Sequence, residues 1–176
     1  FSKPIIYLKK MLNSKEFGGI VSLNYLGANL GVSMNGIHFF DILKFLTNSN
    51  VTKVNSNIQI DKNNNPRGKK FKDYEGQISI LNKDGTRGYM DLSAKAGNGQ
   101  TLTCICKFGI IFIDFVTGKM IMNYRQAKYR KFPSIYYGKP FISKSGKIKI
   151  SNVVEVTKEH LKNFIYGKNY INLTEG

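Results

Sequence analysis

His38 is one of only two histidines in this 176-residue chain, and Asp41 follows it by three positions. An imidazole and a carboxylate at i and i+3 on a helix share a face and can touch. Such a pair can orient the ring and tune it, as proton-transfer chemistry requires, because histidine is the side chain whose charge changes near neutral pH. The neighbours Ile37, Phe39, Phe40, Ile42, Leu43, Phe45 and Leu46 are apolar. A helix apolar on nearly every side reads as a buried one, and buried polar groups need partners. Structural pairing, the commoner case, and chemistry both account for His38 and Asp41 at this level.

The elements that must position this pair can be read on either side of it. Residues 27–31, Gly-Ala-Asn-Leu-Gly, form a loop flexible enough to bring backbone close to a ligand. Ser33 is the expected N-cap of the histidine helix, which ends near 47–50. Upstream, residues 3–15 keep an approximate 3.6 period, with Pro4 suited to a first turn. Gly18-Gly19 ends that helix, and residues 20–26 alternate as a half-buried strand.

Downstream the pattern changes to strands over 51–60, 76–81, 88–95, 100–107, 110–116 and 119–124, with Lys83-Asp84-Gly85 as a hairpin turn. Residues 148–156 read as one more strand, and Thr157 as the N-cap of a helix over 158–166. The expectation is one domain over 1–176 of the α+β class. It has a large, mostly antiparallel sheet, meandering from strand to adjacent strand, with helices on one face.

Composition narrows the function. A net charge of +16 favours anionic partners, but only four of the 27 basic residues are arginines, at 67, 87, 125 and 130. Groove readers and phosphate forks lean on Arg. The Lys and Asn excess reads as a general bias with lysines on solvated faces, and attraction to a phosphate-bearing small molecule stays open. Residues 125–144 interleave cations with Tyr and Phe, as single-strand binders do, although a surface loop with buried tyrosines is the plainer reading. Cys104 and Cys106 point to one face of a strand as free thiols, without metal-ligand spacing. No apolar run suits a membrane span or a signal peptide, and a cytoplasmic location is expected. There is no internal repeat, phosphate loop, dinucleotide fingerprint or zinc motif.

Taken together, four stretches resemble the C-terminal, substrate-binding domain of the glucose–fructose oxidoreductase/inositol dehydrogenase (Gfo/Idh/MocA) family. Residues 8–21 are similar to its opening helix, turn and strand entry. Gly36-Ile-His-Phe-Phe-Asp-Ile-Leu-Lys-Phe-Leu46 resembles its signature G-x-H-x-x-D-x-x-x-x-L. Residues 76–94 and 99–114 resemble its sheet hairpins, and Asn172-Leu173-Thr174 the lead-in to its last helix.

The resemblance implies a glyceraldehyde-3-phosphate dehydrogenase-like C-terminal domain, truncated at both ends relative to the family. It also implies NAD or NADP bound mainly by an N-terminal Rossmann domain that these residues lack, so that the piece alone is inactive. By the same resemblance His38 assists proton transfer at the reacting hydroxyl or carbonyl, and Asp41 meets substrate hydroxyls or steadies the helix. Many members carry an acidic residue four positions before the histidine, where this chain has Met34. The implied substrate is a sugar or nucleotide-sugar, held by Asn24, Asn29, Asn35 and Asp41, with Arg125 meeting a diphosphate. Homo-oligomerisation through the sheet face is implied too. Two other readings stand beside this one: a basic nucleic-acid-binding module using 125–144, the less favoured, and a non-catalytic, sheet-mediated assembly domain.

Overall fold

The computed structural model describes residues 2–62, 67–68, 70–93, 95–97, 99–132, 141–148 and 158. Helix α1, Lys3–Leu12, begins with Pro4 in its first turn and carries Lys9 and Lys10 in its last, where cations suit the carbonyl end. It buries Leu8 and Leu12, one turn apart. Strand β1, Ile20–Leu26, leads into helix α2, Val32–Thr47. Seven strands follow: β2 (Val51–Ile60), β3 (Tyr74–Asn82), β4 (Arg87–Leu92), β5 (Thr101–Cys106), β6 (Gly109–Asp114), β7 (Lys119–Arg125) and β8 (Phe141–Lys147). Both helices pack on one face of the sheet, where Leu8, Leu12, Phe39, Leu43 and Leu46 join the inward residues of the strands in one core.

The sheet is an α+β sheet as expected, but its order, β2-β3-β4-β1-β5-β6-β7-β8, is not one continuous meander. Strand β1 is wedged between β4 and β5, parallel to the first and antiparallel to the second. Leu23 at its centre sits opposite both Gly88 and Cys104 and is fully buried. A central strand is covered by a neighbour on each edge, which suits a strand whose Ser22 and Leu23 are both buried. Gly88 opens space for this arrangement. A Cβ there would stand 3.0 Å from Leu43 of α2 and 3.4 Å from Ile80, so a larger residue requires those neighbours to shift.

Other expectations shift in detail. Strand β8 begins at Phe141, inside the segment read as a basic loop, and pairs with β7 from Arg125 to Lys119. Apart from Ile148 and Lys158, the strand read over 148–156, the Thr157 cap and the helix read over 158–166 lie outside the described residues, as do 172–174. The hairpin at Lys83-Asp84-Gly85 forms, with Gly85 at φ +84° and its N–H donating to Asn82 O at 3.0 Å. Cys104 and Cys106 are buried free thiols on the core face.

Candidate functional site

Helix α2 covers most of its apolar surface and leaves one stripe, Ser33, Ile37, His38, Asp41 and Lys44, open to solvent. Gly36, Phe39, Leu43 and Leu46 face the core. His38, Asp41 and Ile37 are exposed, and Met34 and Asn35 are half-buried. The sequence reading of a fully buried helix is therefore corrected: the signature histidine stands on an open flank. Among the described residues no hydrogen bond or ion pair joins His38 to Asp41, so mutual pairing does not account for them. The imidazole is accessible to a reactant.

The flank is held rigidly from behind. Phe39, next to His38, stacks on Tyr25 of β1 with centroids 5.5 Å apart and planes inclined by 20°. It also meets Phe40 at 6.1 Å in a tilted contact. Groups carried on packed elements hold their geometry better than groups on loops. At the far end of α2, Asn48 adopts the left-handed conformation at φ +53° and donates its N–H to Lys44 O at 2.8 Å. The Thr47 hydroxyl donates to Leu43 O at 2.8 Å and accepts from Asn82 Nδ2 at 3.1 Å.

At the near end the structure corrects the expected cap. The N-cap is Gly31, not Ser33, and no side chain of the helix itself caps it. The cap comes from Asp73, forty residues away, whose Oδ1 accepts the Ser33 N–H at 2.7 Å. Asp73 is 6% exposed. Nothing in the local sequence around position 73 signals this role, and sequence reasoning missed it.

The other nominated residues divide. Asn29 is exposed at the tip of the 27–31 loop, which leads straight into α2. That loop is pinned by Gly27 N–H to Asp91 O at 2.9 Å, Leu30 N–H to Gly27 O at 3.2 Å and Ser93 N–H to Ala28 O at 2.8 Å. Asn35 and Asp41 lie one turn before and one turn after His38, so these three share a side of the helix, while Asn29 precedes its first turn. Asn24 does not join them. Leu23 and Tyr25 point toward the helices, so by strand alternation Asn24 points to the opposite face. There its Oδ1 is buried without a partner among the described residues. It lines a groove of about 610 Å³ with Asn55, Asn57, Gln77, Tyr89 and Asp91. Arg125 is three strands from β1 and 8% exposed. Its Nη1 donates to Phe132 O at 2.7 Å, and its guanidinium lies 6.0 Å from the Phe141 ring. That arrangement ties the end of β7 to Phe132 and to the first residue of β8.

The cations of 125–132 engage rings within and beyond the segment: Lys128 sits over Tyr129 at 4.9 Å and Arg130 over Phe108 at 5.8 Å. Residues 133–140 lie outside the described residues. No group of three or more His, Cys, Asp or Glu suited to a metal occurs among the described residues. No helix among them is long and apolar enough to cross a membrane.

A nicotinamide dinucleotide needs its pyrophosphate held, commonly at a helix N-terminus. At α2 that place is taken by the Asp73 carboxylate, and α1 opens with Pro4, which has no N–H to offer. The described helices do not fit the cofactor's phosphates.

No protein-family model matches the sequence, and no curated protein does either. Solved structures do. A super-repressor mutant of Gal80p from Saccharomyces cerevisiae matches with a TM-score of 0.68 at 11% identity, over 98% of this chain and 51% of that one. UDP-N-acetylglucosamine 3-dehydrogenase GnnA from Acidithiobacillus ferrooxidans matches with a TM-score of 0.69 at 13% identity, over 96% and 54%. An NAD-binding protein from Listeria innocua matches with a TM-score of 0.63 at 14% identity, over 99% and 53%. The chain thus spans about half the length of the structures it matches. At these identities the likeness establishes a shared fold, and the resemblance drawn from the histidine helix holds at that level.

Proposed function

We propose that this chain is the substrate-side half of an NAD(P)-dependent oxidoreductase of the Gfo/Idh/MocA type, acting on a hydroxyl or carbonyl of a sugar or nucleotide-sugar. The observation that carries the reading is His38, exposed on a helix whose adjoining Phe39 is locked against Tyr25. A repressor among the fold's bearers means that the fold alone does not carry chemistry. What supports chemistry in this reading is the exposed imidazole beside that packed ring.

In this reading the cofactor supplies hydride exchange and belongs to a nucleotide-binding part outside these 176 residues. His38 takes the alcohol proton during oxidation and returns it during reduction. Asn35 and Asn29 offer amide donors and acceptors to substrate hydroxyls. Asp41 accepts hydrogen bonds one turn beyond the histidine. Met34 cannot relay a proton, so the proton leaves His38 directly to water across the open flank. The name of the Acidithiobacillus neighbour makes UDP-N-acetylglucosamine the first substrate to try. The test is to assay the whole protein, nucleotide-binding part included, with NAD and NADP against UDP-linked and free sugars, following nicotinamide absorbance. Sugar-dependent turnover supports the reading, and its absence across the panel removes it.

The open sheet face favours an accompanying role in assembly. Leu26, Leu81, Tyr89, Ile105 and Ile110 point away from the helices and are exposed. Ile105 and Ile110 stand directly opposite each other, while Leu26, Leu81 and Tyr89 face Asp91, Arg87 and Ser79, a mixed surface of the kind that non-obligate contacts use. Packing against a second copy would bury it, and a stable pair needs roughly 1,200 Å² or more in total. Sedimentation of the full chain as a dimer or larger supports this role; a monomer at micromolar concentration opposes it.

A further inference from the structure

We infer that Asp73 is a positioning residue for the histidine helix, a role that rests on the function proposed for His38. Its Oδ1 accepts two backbone N–H groups, from Ser33 at 2.7 Å and from Tyr74 at 2.8 Å. The first belongs to α2 and the second to β3, so one oxygen joins the helix to the sheet. The contact is close: a Cβ at Gly31 would collide with the Asp73 carboxylate, so glycine at the N-cap is what admits it. The first turn of α2 contains no acidic residue of its own, and Gly31 provides no side-chain cap. The negative charge that a helix start favours therefore comes from a residue distant in sequence.

The anchor for Asp73 is also built in. Its own carbonyl accepts the Asp61 N–H at 3.0 Å, closing the connection between β2 and β3 at its base. Ser33 precedes His38 by five residues, about 8 Å along a helix. The far end of α2 is tied to β3 as well, through Thr47 and Asn82. Helix α2 is thus clamped to the same strand region at both ends, and the histidine lies between the clamps. Freeing the first turn changes the axial position and tilt of the segment that carries Asn35 and His38. Misplacement of a reacting group by about 1 Å can cost on the order of 10²-fold in rate.

The test compares Asp73→Ala with Asp73→Asn in the whole protein, nucleotide-binding part included. Asn retains an acceptor oxygen of the same reach and caps helices about as well as Asp. Hydrogen exchange at Ser33 is read in both variants alongside kcat and the KM for NAD(P). The expected result for Asp73→Ala is loss of Ser33 protection and a fall in kcat on the order of 10²-fold, with the KM for NAD(P) unchanged. Asp73→Asn restores both protection and kcat to within about threefold. Retained protection and kcat in Asp73→Ala overturns the inference, as does lost protection with unchanged kcat. Ser33 protection does not depend on any activity, so a failure of the proposed reaction is distinguished from a failure of the clamp: with no turnover in the parent, protection alone decides whether Asp73 holds α2.

Discussion

Tyr25 and Phe39 stack 5.5 Å apart and nearly parallel, one from the strand at the centre of the sheet and one from the helix above it. This contact sets the helix against the sheet directly behind His38. Replacing Tyr25 with Ala removes the stack and leaves a gap beneath α2, and the expected loss is about 2–4 kcal/mol of unfolding free energy. Tyr25→Phe keeps the ring and costs under about 1 kcal/mol. Urea unfolding of the two variants checks the difference; equal stabilities would show that the stack does not hold the helix.

Gly88 provides the matching relief on the sheet side. Gly88→Ala places a methyl group 3.0 Å from Leu43 and 3.4 Å from Ile80. Overpacking of this kind costs typically about 1–3 kcal/mol. The expected outcome is a lower unfolding midpoint together with changed side-chain signals from α2. An unchanged midpoint would mean that the helix yields freely.

The two thiols make an alkaline prediction. Burial pushes Cys106 from 9.0 up to about 12, and burial with the neighbouring Cys106 raises Cys104 as well. A group whose folded value is raised favours the folded state below its unfolded value, and that stability is lost as pH climbs from about 9 toward 12. Thermal midpoints should therefore fall across that range. In a Cys104→Ala/Cys106→Ala protein the fall should be shallower, with a lower midpoint at neutral pH from the lost packing. A thiol reagent should label the native protein slowly and the urea-unfolded protein at once.

The turn after β6 makes the opposite prediction. The Thr117 hydroxyl donates to Asp114 Oδ2 at 2.7 Å and the Val116 N–H to Oδ1 at 2.8 Å, which holds this carboxyl below its ordinary value. A lowered folded value stabilises above the unfolded value, near 3.8, and that gain is lost as pH falls through the folded one. Asp114→Ala should lower the thermal midpoint at pH 7, with the gap from the parent narrowing as pH falls below 3.8. A gap independent of pH would show that the charge is not what the turn uses.

Local pattern carried much of this fold and little of its assembly. Leu8 with Leu12, and Phe39 with Leu43 and Leu46, announce two helices by spacing alone. The alternation of Ile78 with Ile80, and of Leu102 with Cys104, announces strands with one covered face. The wedge of β1 between β4 and β5 was not legible, because alternation tells which face a residue takes and not which strand lies beside it. Asn24 shows the same limit: its type suited a sugar, while its parity on β1 sends it to the far face. The Asp73 cap depends on a contact across forty residues, which no local signal marks. His38 was legible as a candidate from its motif. Its exposure was missed because α2 reads as apolar on nearly every side, although Ser33, His38, Asp41 and Lys44 form a polar stripe in which Ile37 is the single exposed apolar residue.

The most direct test of the proposed chemistry is the turnover of the whole protein, nucleotide-binding part included, with His38 replaced by Ala, measured beside the parent on a substrate the parent oxidises. Loss of a proton-transferring group lowers kcat by roughly 10²–10⁴-fold. The account predicts a fall of that size with NAD(P) affinity unchanged. Undiminished kcat would contradict it, whatever the state of the helix.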